Sequence, residues 1–347
     1  MAEPPAPRPG LVIADVDDAV GRLHRGGLVA LPTETVYGLG ADASDASAVA
    51  RIFEVKGRPP GHPLIVHLAG PEQLAGWASS IPRAARVLTE ACWPGPLTVL
   101  LERGRRVLDV VTGGRQTVGL RVPSHPVTLD VLVRFGGGIA APSANRFGQV
   151  SPTTAQHVVD DIGELLDPTR DAVLDGGPTP IGVESTIVDC TVEPPQILRP
   201  GGIPDEDIAR LLDGELGAAA GAARASGMLE SHYSPRCEVR VADSRAEADE
   251  LAATLRAAGR HVEMLDGSDD LVAYASRLYR ELRQADALAL DVVVAVLPPA
   301  RGLGHAIRDR LTKAAAGSSR PRGERPTSGP PDRAGPRRRR DDPSRDG

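Results

Sequence analysis

In a chain of 347 residues whose basic side chains are otherwise all arginine, lysine occurs at Lys56 and Lys313 alone. Lys56 lies in EVKGRPPGHPLIVH (54–67), two residues before Arg58 and at the end of a run with helical spacing. A compact ammonium beside a planar guanidinium makes a phosphate clamp, the lysine as a point charge and the arginine as a fork. The same two cations at a helix C-terminus also complement the helix dipole with no ligand present. His67 ends the apolar run of this stretch, either as a ligand or as a satisfied residue of the core.

Other polar groups gather at element ends. LPTETVYGLG (31–40) sets Thr33, Glu34, Thr35 and Tyr37 after a strand, as a plain turn or as a held binding loop. TVGLRVPSHP places Arg121 among apolar residues, where a half-buried charge needs an anion, either a ligand or a structural carboxylate. PSANRFGQVSPT carries Ser143, Asn145 and Ser151, a set suited to ribose or phosphate oxygens, or a turn followed by a Ser151-Pro152 helix cap. Together these groups supply cations and hydroxyls without a nucleophile–base dyad or a metal-ligand cluster. Such an inventory serves positioning and charge neutralisation at phosphates.

Standard motifs are missing. The sequence contains no G-x-x-x-x-G-K-[ST] and no G-x-S-x-G. GGGIAA (136–141) follows a helical pattern and leads into a strand, the reverse of a dinucleotide-binding turn.

The elements that position these residues alternate between helical and extended patterns. Expected helices include 15–27, 44–57 (capped by Ser44 or Asp45 and stopped by Gly57), 126–137 and 151–164; expected strands include 28–32, 97–102 and 117–123. The boundaries read as a disordered N-terminus (1–10), a first α/β domain (11–213), a linker (214–236), a second domain (237–317) of β-α-β-α-β-α pattern, and a disordered Arg/Pro-rich tail (318–347).

Net charge is −6. Residues 317–347 hold nine Arg against five Asp and Glu, which leaves the rest of the chain near −10 and argues against stable nucleic-acid binding. Cys92, Cys190 and Cys237 are isolated, consistent with a reducing compartment and no structural zinc. The first ten residues lack an apolar h-region, and the longest apolar run (287–297) is broken by Asp291, so a cytoplasmic protein without membrane spans is expected.

LPTETVYGLGAD, KGRPPGHPLIVH, LRVPSHP, APSANRFGQVSPTTA, ESTIVD and LRPG occur in the order and approximate spacing of the YrdC-type domain. HYSP, followed by an α/β unit ending in GLGHAIRDRLTKAA, resembles the two-domain form of that family, the L-threonylcarbamoyladenylate synthases; the match runs from about residue 11 to 317. The resemblance implies a YrdC-type mixed-sheet α/β domain with a cationic concavity, followed by a small three-layer Rossmann-like domain, with the linker crossing the active site. It implies condensation of L-threonine, bicarbonate and ATP to threonylcarbamoyl-AMP and pyrophosphate for tRNA modification, with Mg²⁺ carried on ATP and a threonylcarbamoyl transferase complex downstream.

Carried over by motif, Thr35, His67, Arg121, Ala141 and Ser185 meet threonine. Arg58, His62, Thr117, Ser143, Asn145, Ser151, Arg199 and Tyr233 meet ATP, and Lys56 and Arg58 are the catalytic cations. Position 62 departs from the family, which usually has Asn where this chain has His62. Two rival readings are a carbamoyl-adenylate-forming enzyme and an RNA-binding module without catalysis. The first lacks its expected upstream Cys clusters here, and the acidic body counts against the second.

Overall fold

The structure, a computed structural model, describes residues 9–214, 216–218 and 233–318. The expected N-terminal segment through residue 8, most of the expected linker and the tail beyond Ser318 lie outside the described residues.

The first domain begins with β1 (Val12–Ile13), α1 (Val16–His24), β2 (Val29–Leu31), β3 (Gly38–Asp42), α2 (Ala46–Lys56) and β4 (Ile65–His67). It continues through α3 (Leu74–Trp77), α4 (Arg83–Cys92), β5 (Leu97–Glu102), α5 (Asp109–Thr112), β6 (Thr117–Arg121), α6 (Pro126–Phe135) and β7 (Ile139–Ala140). It closes with α7 (Ala155–Ile162), β8 (Ala172–Leu174), β9 (Thr186–Asp189), β10 (Gln196–Arg199) and α8 (Asp205–Leu211). Its strands form one mixed sheet ordered β1-β8-β2-β3-β7-β4-β6-β5-β9-β10. The second domain alternates β11 (Glu238–Ala242), α9 (Arg245–Ala257), β12 (Val262–Leu265), α10 (Leu271–Ala287), β13 (Val292–Val296) and α11 (Gly304–Ser318). Its sheet is parallel in the order β11-β13-β12, as the β-α alternation requires. No helix among the described residues is long and apolar enough to cross a membrane.

Local chemistry sets the boundaries near the cavity. Asp45 caps α2 by accepting from the Ser47 and Ala48 amides, and Gly57 ends it in the left-handed region at φ 61°. The residues GLG (38–40), read from sequence as the end of the loop 31–40, begin the strand β3. A Cβ on Gly40 would stand 2.9 Å from Ile139 Cγ2 and 3.0 Å from the Val29 carbonyl, so this glycine marks close strand packing. The cap expected at Ser151-Pro152 belongs instead to Thr154, whose side chain accepts from the His157 amide. The helix therefore starts four residues after Ser151, which frees the Ser151 hydroxyl.

Register places the polar groups on one face. β4 and β6 run parallel, with Ile65 opposite Gly119 and His67 opposite Arg121, so alternate residues of both strands look to the same side. β7 runs antiparallel to β4 and leads into Ala141 and Ser143. β9 pairs parallel with β5, and β10 antiparallel with β9, which brings Ser185 and Arg199 together where β9 begins. The two domains share a core: Val36, Val150 and Val183 pack with Tyr233, Tyr279, Leu282 and neighbouring side chains of α10 and α11.

Candidate active site

A concavity opens on this face. Its walls carry Thr35, His67, Arg121, Ala141 and Ser185, all five residues expected to meet threonine, together with Arg58, Ser143, Arg199 and Tyr233 from the ATP set. Lys56, His62, Thr117, Asn145 and Ser151 are not in its walls.

The loop after β2 is shaped by a hydroxyl turn. Thr33 Oγ1 accepts from the amides of Thr35 and Val36, each at 3.2 Å, and donates to the Val36 carbonyl at 2.6 Å. Arg121, at the end of β6, donates from Nη2 to Glu34 Oε1 at 2.6 Å and to Thr35 Oγ1 at 3.0 Å. Glu34 Oε2 in turn accepts the Ser124 amide at 3.0 Å. Of the two anions open to Arg121 from sequence, the structural carboxylate is thus in place, and the guanidinium still lines the cavity. His67 is buried, and its Nδ1 has no hydrogen-bond partner among the described residues. Burial, reinforced by the Arg121 charge, holds its pKa down to about 3, so the ring is neutral.

Ser185 and Arg199 form one unit. Arg199 donates from Nε and Nη2 to the Ser185 carbonyl at 3.2 and 2.7 Å, and from Nη2 to Ser185 Oγ at 3.1 Å. Gly201 makes this contact sterically open, since a Cβ there would fall 2.3 Å from the Ser185 carbonyl carbon.

Arg58 sits just past α2, donates to the Pro63 carbonyl at 2.9 Å and lies 5.6 Å from the Phe147 ring centre. Burial lowers its pKa to about 10, with Tyr233 acting in the opposite direction. Lys56 points elsewhere. Its buried ammonium donates to the backbone carbonyls of Ser143 and Asn145, tying the loop after β7 to the end of α2. Burial, then the Arg58 charge, pulls its pKa well below the ordinary lysine value. Asn145 donates to the Arg146 and Gln149 carbonyls at 2.8 Å each, while its buried Oδ1 has no partner among the described residues. His62 packs edge-on against Phe147 at 5.3 Å, and burial, then Arg58 and Arg115, lowers its pKa. Thr117 opens β6 opposite Glu102.

Of the two carboxylates central to this geometry, Glu34 was read only as part of the polar loop after β2, without its partner Arg121, and Glu184 was not singled out by sequence reasoning. Glu184 is buried in the cavity wall. It accepts from Ser151 Oγ at 2.6 Å and, from the second domain, from Tyr279 Oη and Arg310 Nε at 2.8 Å each. Burial alone would raise its pKa, but the charges of Arg310 and Arg199 and these hydrogen bonds hold it near 2. The available signal was the glutamate directly before Ser185 in ESTIVD; its partners lie too far along the chain for spacing to reveal.

Arg58, Arg121 and Arg199 converge on the cavity while its nearby carboxylates are engaged by protein cations, an environment that accepts anionic substrates. No group of three or more His, Cys, Asp or Glu placed to hold a metal ion occurs among the described residues.

The family model described as telomere recombination, covering Sua5, YciO and YrdC proteins, matches residues 22–201. The model of the threonylcarbamoyl-AMP synthase C-terminal domain matches residues 203–316. The chain is 42% identical over 319 residues to the threonylcarbamoyl-AMP synthase of Pyrococcus abyssi, spanning 85% of this chain and 92% of the relative. It is 38% identical over 326 residues to the protein of the same name in Bacillus subtilis, spanning 87% and 93%. The solved structure of P. abyssi Sua5 complexed with L-threonine matches with a TM-score of 0.82 at 41% identity, over 87% of this chain and 94% of that one.

Proposed function

Because the chain belongs to the threonylcarbamoyl-AMP synthase family, we infer that it condenses L-threonine, bicarbonate and ATP to threonylcarbamoyl-AMP and pyrophosphate, as a nucleotidyltransferase. The observation that carries the reading is the convergence of Thr35, His67, Arg121, Ala141 and Ser185 with Arg58, Ser143, Arg199 and Tyr233 on one cavity. The first five belong to the threonine set and the last four to the ATP set.

The division of labour follows from charge and geometry. Arg121, already oriented by Glu34, takes threonine's carboxylate, and the neutral His67 ring with the hydroxyls of Thr35 and Ser185 frames the rest of the amino acid. The threonine amine captures bicarbonate with loss of water, or carbon dioxide with loss of a proton, as a carbamate, whose oxygen attacks the α-phosphate and expels pyrophosphate. Two anions must approach each other in this step, so their repulsion has to be offset by fixed cations. Arg58 and Arg199 are the cavity-lining cations for that task. Mg²⁺ arrives as part of the ATP substrate, in keeping with carboxylates Glu34 and Glu184 that are already committed to arginines. Lys56 acts as a positioning residue, fixing the loop that presents Ser143. Ser151 reaches the site through Glu184, whereas His62, Thr117 and Asn145 lie outside the cavity wall.

The test is the mass of the adenylate formed from purified protein, ATP, bicarbonate and threonine. Threonylcarbamoyl-AMP supports the assignment; a carbamoyl-AMP product would move the chain to the rival chemistry.

A further inference from the structure

The strongest unexplained constellation lies between the domains. Arg310 of α11 is fully buried, 0% exposed, and its guanidinium touches three separate segments of the first domain and linker. Nε donates to Glu184 Oε2 at 2.8 Å, Nη2 donates to the Pro200 carbonyl at 3.0 Å, and the guanidinium carbon stands 4.9 Å from the Tyr233 ring centre. Each of those residues adjoins or belongs to the cavity: Glu184 precedes Ser185, Pro200 follows Arg199, and Tyr233 lines the wall. Tyr279 of α10 donates to the same Glu184 oxygen and stacks on Tyr233 at 5.7 Å. The other oxygen of Glu184 is held by Ser151. One carboxylate therefore joins a first-domain hydroxyl to two side chains of the second domain.

The backbone fits the same scheme. Gly182 adopts φ 78°, and a Cβ there would come within 2.5 Å of the Ala275 carbonyl on α10. The segment carrying Glu184 and Ser185 is thus pressed against the second domain itself.

We propose that Arg310 is a positioning residue through which the C-terminal domain sets the active site of the first domain, holding the 184–185 segment, the 199–201 segment and the Tyr233 ring in one arrangement. Arg310 is not in the cavity wall and acts through Glu184, Pro200 and Tyr233. A planar fork is required, because a single ammonium does not reach three differently directed partners. The effect on catalysis rests on the functional reading above; the geometric coupling does not.

The test uses full-length protein carrying Arg310→Lys, Tyr279→Phe or, as a control, His305→Ala. The control removes a different interdomain contact, His305 Nε2 with Glu206 Oε1 at 3.2 Å. Arg310→Lys is expected to lower kcat/KM for ATP by about tenfold or more, and Tyr279→Phe by a smaller factor, at temperatures where each variant is fully folded. His305→Ala is expected to keep wild-type constants. Hydrogen exchange should rise in residues 182–186 and 199–202 of Arg310→Lys and stay unchanged in the control. A merely structural role would lower Tm in Arg310→Lys while leaving both kcat/KM and this exchange pattern at wild type, and that result overturns the proposal. If wild-type protein shows no threonine-dependent turnover, the functional reading fails, and the exchange pattern alone decides the coupling.

Discussion

Lys56 Nζ donates to the backbone carbonyl of Asn145, joining the last residue of α2 to the loop that follows β7. The same ammonium also serves the carbonyl of Ser143. A compact ammonium with three rotatable donors can satisfy two converging carbonyls inside a buried pocket where a planar arginine fork does not fit as readily. That requirement explains lysine at this site in an arginine-rich chain, independently of any direct contact with phosphate.

Lys56→Met is expected to slow turnover by at least about tenfold, because Ser143 loses its fixed position. Stability should fall by about 1–3 kcal/mol as two buried carbonyls lose their donor. Pyrophosphate release and chemical denaturation check the two effects, and wild-type values in both would remove Lys56 from the site's support.

Arg121 and Glu34 are expected to separate binding from stability. Arg121→Gln leaves the buried Glu34 carboxylate without its cation, costing about 3–5 kcal/mol, and raises KM for threonine. Adding Glu34→Gln should restore much of the stability but none of the threonine affinity. Recovery of affinity in the double variant would show that Arg121 serves only the ion pair.

Gly201→Ala should displace Ser185, since the added methyl meets the Ser185 carbonyl carbon at 2.3 Å in the present packing. The expected result is a lower Tm with a raised KM for threonine. An alanine variant with wild-type constants would show that the 199–201 segment shifts without consequence for the site.

Two histidines contribute to the acid limb of stability. His67 is depressed from 6.5 to about 3 by burial and then Arg121, and His157 to about 4 by burial and then Arg283. In both, the unfolded chain binds the proton more readily than the folded one, so their contribution is present above pH 6.5 and is lost as pH falls toward the folded values. For fully buried His67 the slope approaches about 1.4 kcal/mol per pH unit within that window. Denaturation at pH 7, 6, 5 and 4 should trace the decline, and KM for threonine should show no inflection near 6.5 from His67. A stability profile flat from pH 7 to 5 would contradict the neutral, buried ring.

Much of the first domain was legible because its local signals are strong. Asp45 and Gly57 bound α2 as their chemistry dictates, and the second domain's β-α alternation gave its parallel sheet. GLGAD was hidden as a strand because its glycines answer to Ile139 and Val29 across the sheet, which no local pattern reports. Ser151 was read as a cap because Ser-Pro is a good cap pair, but Thr154 holds the helix and Ser151 is bound to Glu184. The motifs named nine of the residues in the cavity wall, yet the partners of Arg121 and Glu184 lie 87 and 126 positions away in sequence. Such pairings are fixed by sheet order and domain docking, and a reading by spacing passes over them.

The most direct test of the assigned reaction is pyrophosphate release from ATP by the purified chain, with threonine and bicarbonate supplied together and each omitted in turn. Release is expected only when both are present. Release that continues at the same rate without threonine would contradict the assignment.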